Sequence, residues 1–119
     1  MNETNLIIYQ KWEDMAEYML KCVVPQLPKS ERYALGSHFR NTILQMGVAI
    51  ARANSMRDPK YRKKEMETAD RALCQLKIMI RLSYRLQYIN PKKHEVSIRY
   101  LAELGKILGG WLKSYSSKG

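Results

Sequence analysis

The stretch "RANSMRDPKYRKK", residues 52–64, sets six basic side chains around a single Asp-Pro pair. Asp58 before Pro59 has the form of a helix start. An acidic N-cap precedes a proline at the first helical position, where the missing N–H would have had no partner anyway. The stretch therefore reads as the end of one helix, a joint of a few residues, and the first turns of the next. The same punctuation recurs outward from it. "INPKK" at 89–93 places Asn90 before Pro91, and "VPQLPKS" at 24–30 interrupts the chain with two prolines. These breaks leave four long segments without internal proline, predicting helices at about 5–24, 30–56, 59–88 and 91–115.

Periodicity within the segments agrees. Ile8, Trp12, Met15, Met19 and Cys22 step by four and three, as do Leu35, Phe39, Ile43, Met46, Ile50 and Ala53. Met66, Ala69, Leu73, Leu76, Ile80 and Ser83 repeat the pattern, followed by Ser97, Leu101, Leu104, Leu108, Trp111 and Tyr115. Such stripes line the seam of a bundle, and short connections make successive helices antiparallel neighbours. The expected fold is all-α, a single antiparallel up-down-up-down four-helix bundle domain. Leu44, Val48, Ala51, Ile78, Met79, Leu82, Tyr100 and Ile107 widen the apolar faces, so some are expected to be buried against another subunit.

The 119 residues suit one domain with its own core. The net charge of +10 favours a polyanionic partner. That charge is uneven: residues 1–25 sum to −2, and each later quarter to +4. No apolar run could span a bilayer, and the N-terminus lacks a signal-peptide order, so a cytoplasmic protein without a membrane partner is expected. Cys22 and Cys74 lie apart from any Cys/His cluster and read as small apolar residues of the interior.

Three basic groupings stand out. Arg52, Arg57, Lys60, Arg62, Lys63 and Lys64 crowd the joint. Basic residues in a first helical turn oppose the macrodipole, a local cost that a partner would relieve. Lys77, Arg81 and Arg85 form an i, i+4, i+8 row on the third helix without acidic residues among them. Lys92, Arg99, Lys106 and Lys113 recur every seven residues on the fourth, and Lys106 stands about 160° from Leu104 and Leu108, opposite the seam. Both rows are expected to be unneutralised, so that repulsion within each would be relieved by RNA or DNA through counterion release. No motif for base readout is visible, which predicts contacts dominated by the nucleic-acid backbone. Glu13, Asp14, Glu17 and Lys21 make an acidic counter-face on the first helix that suits a neighbouring copy.

Signals for catalysis are sparse. Arg32 and His38 have a spacing similar to that of HEPN ribonucleases. On a regular helix, however, they would point about 120° apart and could not converge on one phosphate. "KHE" at 93–95 lacks the second His of a zinc protease, and paired ExxH motifs of di-iron bundles are absent from the sequence. No cofactor, metal or enzymatic activity is expected.

Pro28, Glu31, Arg32 and Leu35 form a Pro-x-x-Glu-Arg-x-x-Leu pattern, followed by a small-residue stretch and a third helix of the A-D-x-A-L-x-x-L-K type. From about Leu6 to Lys113 the chain resembles the accessory variability determinants of diversity-generating retroelements. These share a four-helix fold with small proteins encoded in intervening sequences of 23S ribosomal RNA. The latter typically carry "NIAEG" at the end of the second helix, where this chain has Ala51, Arg52, Ala53, Asn54 and Ser55. That departure and the high basicity favour the retroelement branch. The resemblance implies a homopentamer of four-helix protomers that does no chemistry itself. It would act with the reverse transcriptase and its template RNA during mutagenic copying. The alternatives are an intervening-sequence-type interaction module and a HEPN-like nuclease.

Overall fold

The computed structural model describes the backbone of Glu3–Lys118 and the side chains of residues 6–115. Among the described residues there are four long helices: α1 (Glu3–Tyr18), α2 (Leu35–Ser55), α3 (Pro59–Arg85) and α4 (Pro91–Lys118). No strand occurs among the described residues. Each helix packs against its neighbour in sequence, and α4 returns to α1, giving a body of 45 × 24 × 21 Å compatible with a four-helix bundle.

Local chemistry sets the ends. After Tyr18 the first helix widens into a π-helical turn, Met19–Val23, where the Val24 N–H reaches back to the Met19 carbonyl. A 3₁₀ turn follows at Val24–Gln26. The widening falls just before Pro25, whose ring would collide with the carbonyl four residues back in an α-helix. The second helix begins at Leu35, later than the expected residue 30. Pro28 is held extended at φ −63°, ψ 157°, and Lys29–Glu31 wind into a 3₁₀ turn before the α-helix opens.

The two Pro-led helices begin where the sequence reading placed them. The Asp58 Oδ1 accepts from the Lys60 N–H at 2.9 Å, and the Asn90 Oδ1 from the Lys93 N–H at 2.8 Å. The third helix ends at Arg85 rather than 88. Gln87 adopts φ 63°, the Tyr88 N–H bonds the Ser83 carbonyl and the Gln87 N–H that of Tyr84. This is the Schellman pattern, with Gln where glycine usually stands.

The core follows the stripes. Ile8, Met15 and Met19 meet Phe39, Ile43, Met46 and Ile50, together with Leu76, Ile80, Leu101, Leu104 and Leu108. Trp12 crosses Gly47 and donates its Nε1–H to the Ile43 carbonyl at 2.9 Å. Of the residues that widened the stripes, Met79 is buried within the protomer, and Tyr100 and Ile107 pack half-buried against its core. Leu44, Val48, Ala51, Ile78 and Leu82 are exposed on α2 and α3, Ile78 at 64%. The expectation of interior cysteines needs correction. Cys22 is partly covered, but Cys74 is exposed because it lies on the outer side of α3, away from the Leu73 and Leu76 seam.

Candidate nucleic-acid interface

The row on α3 stands as its spacing requires. Lys77, Arg81 and Arg85 are exposed, and among the described residues none forms an ion pair. On the neighbouring α4, Lys92, Arg99, Lys106 and Lys113 are also exposed. This second row is not wholly unneutralised as expected, since the Arg99 Nη2 lies 3.1 Å from the Glu95 Oε1. Glu95 sits one turn earlier on the same face, the spacing that lets side chains meet along a helix. Both groups are 61% exposed, so the pair contributes only tenths of a kcal/mol and yields readily to a stronger anion.

The six cations of the joint stand in different surroundings. Arg57, Lys60 and Lys64 are exposed and Lys63 is half-buried. Arg52, on α2, lies 3.7 Å from the Glu65 carboxylate of α3. The Arg62 guanidinium carbon sits 5.8 Å from the centre of the Trp111 ring, with its Nε buried and without a hydrogen-bond partner. Arg52 and Arg62 thus also make contacts between neighbouring helices of the protomer. The N-cap carboxylate of Asp58 offsets part of the unfavourable first-turn charge.

Sequence periodicity missed a further basic cluster. Lys29, Arg32 and Arg40 line one cleft of about 360 Å³, with Val24, Pro25, Leu27 and Gly36 completing its wall. Because α2 starts only at Leu35, Lys29 and Arg32 belong to no helical row, and a search by i, i+4 spacing cannot join them to Arg40. The Pro28-x-x-Glu31-Arg32 pattern was the available signal. Arg32 and His38 line different clefts, His38 facing Glu31, Ala34, Leu35 and Leu82.

Around the turn between α3 and α4 lies an open pocket of about 630 Å³ lined by Gln26, Tyr84, Arg85, Gln87 and Tyr88 among others. Tyr84 stacks on His94 with centroids 4.3 Å apart. The Tyr88 hydroxyl donates to the Glu31 Oε2 at 3.0 Å, and this bond holds the phenol above its usual pKa. On the acidic side, Glu13, Asp14 and Glu17 are exposed, with Lys21 3.2 Å from Glu17. Lys11 bridges α1 to Glu103 of α4 at 2.9 Å, and that carboxylate raises the lysine pKa.

Among the described residues no cluster of His, Cys, Asp or Glu is arranged to hold a metal ion. In that same span no helix is long and apolar enough to cross a membrane. Fold and surface together define an all-helical protein whose cations are displayed on two adjoining helices and at both ends of α2. The profile of the bAvd-like family, the bacterial accessory variability determinants, matches residues 6–115, and the chain belongs to that family. Among curated proteins none matches it in sequence.

Proposed function

We propose that this accessory variability determinant acts without chemistry of its own, as a basic scaffold that holds a retroelement's reverse transcriptase and template RNA during mutagenic copying. The observation that carries the reading is the row Lys77, Arg81 and Arg85, exposed and without an ion pair among the described residues on a member of this family. Lys92, Lys106 and Lys113 extend it on α4, with Arg99 released from Glu95 on binding. Exposed Arg57, Lys60, Lys63 and Lys64 continue the charge at the α2–α3 joint. Such a surface holds RNA, or DNA, mainly through phosphates and with little base selectivity.

The protomer in this reading is an up-down-up-down bundle. Closeness of Arg52 to Glu65 at one end, and of Glu31 to Tyr88 at the other, supports opposed directions for α2 and α3. The working form is a cytoplasmic homo-oligomer, five-membered as the family resemblance implies. Exposed Leu44, Val48, Ile78 and Leu82 offer apolar surface for the subunit contact.

Coexpression with the reverse transcriptase encoded beside it, and with the template RNA, tests the proposal. The three should copurify at moderate salt, and nuclease treatment should release the RNA. A polymerase complex that retains no RNA would favour a purely protein-docking role. RNA cleavage lost in His38→Ala would favour the nuclease alternative.

A further inference from the structure

We infer that the cleft lined by Lys29, Arg32 and Arg40 is a phosphate-binding pocket, giving the molecule a separate nucleic-acid contact at the pole away from the α2–α3 joint. The inference rests on the RNA-binding reading and adds a place to it. The cleft lies at the N-terminal end of α2 and the joint at its C-terminal end, with Arg40 and Arg52 about 18 Å apart along the helix.

Three cations share this wall, no acidic residue lines it, and among the described residues none of the three forms an ion pair. Val24, Pro25 and Leu27 supply an apolar lining beside the charges, where attraction to an anion is stronger than in open water. The backbone adds to this field. Ala34 at the N-cap of α2 offers no side-chain acceptor, the first turn of α2 holds no acidic residue, and Gly36 presents backbone to the cleft. The partial positive charge of that helix end adds to the field of the cations.

Two planar guanidinium forks and an ammonium are donors of the kind that bind phosphate oxygens, the guanidinium bidentately and the ammonium as a point charge. Removing Lys29, Arg32 or Arg40 opens no hole in the core, since all three are exposed.

The test uses the full-length, ¹⁵N-labelled protein and inorganic pyrophosphate at low salt. Saturable shifts are expected at the amides of Gly36 and Ser37, and they should vanish in Arg32→Ala/Arg40→Ala. The same double variant should bind single-stranded RNA about tenfold more weakly, with a salt slope shallower by about 1. Single Arg32→Gln and Arg40→Gln variants repeat the measurement should the double variant melt early. Absence of saturable shifts, or RNA affinity unchanged in the double variant while the wild type binds RNA, overturns the pocket and leaves the RNA-binding scaffold standing. Pyrophosphate bound at Gly36 by a chain that retains no RNA overturns the assignment to nucleic acid and, with it, the RNA-binding reading.

Discussion

Trp12 lies so close over Gly47 that a Cβ there would stand 2.5 Å from its Cε2. An exposed helical Gly→Ala change normally stabilises by about 1 kcal/mol, but Gly47→Ala should destabilise by about 1–3 kcal/mol because the indole must leave its seat and its bond to Ile43. Urea denaturation measures the difference. The opposite sign is expected at Gln87, whose left-handed backbone costs a non-glycine residue about 1–2 kcal/mol. Gln87→Gly should raise stability by roughly 0.5–1 kcal/mol after allowance for the freer unfolded chain. Neither residue was legible in the sequence. Gly47 looked like one small residue among several because its role depends on Trp12, brought close only by folding, and at Gln87 the turn is local but Gln carries no turn signal.

Helix starts, in contrast, are written locally. Asp58 and Asn90 could be read as caps because cap, proline and first-turn amide lie within three residues of one another. Asp58→Ala should cost about 1 kcal/mol, and somewhat more at low salt, since it removes a carboxylate beside the basic first turn of α3. Thermal melts at two ionic strengths would show it. The core stripes were equally legible, from Phe39 to Leu108, because burial follows the helical period. What the period could not reveal was how the elements begin and end irregularly. The π turn before Pro25 and the 3₁₀ turn after Pro28 displaced the start of α2, and that displacement assembled the Lys29, Arg32 and Arg40 cleft. Likewise, Arg62 over Trp111 joins α3 to α4 across nearly fifty residues of sequence. Its basic neighbours made it look like one more surface cation.

At the scale of the whole molecule, two surfaces remain unsatisfied within one protomer. Leu44 and Val48 on α2, with Ile78 and Leu82 on α3, expose apolar side chains on a chain of net charge +10. In the proposed oligomer, Leu44→Glu combined with Ile78→Glu should shift the mass measured by light scattering toward the monomer while helical content is retained. An unchanged mass would move the subunit contact elsewhere. The second surface is the cationic one, and the central claim, that its exposed rows hold nucleic acid, is tested most directly by salt dependence. RNA affinity of the wild type should fall steeply as salt rises, by about 0.7 in log slope for each phosphate neutralised on a single strand. Reversing Lys77, Arg81 and Arg85 to Glu should weaken binding and flatten that slope by about 2. A slope that stays at the wild-type value after the reversal would contradict the account.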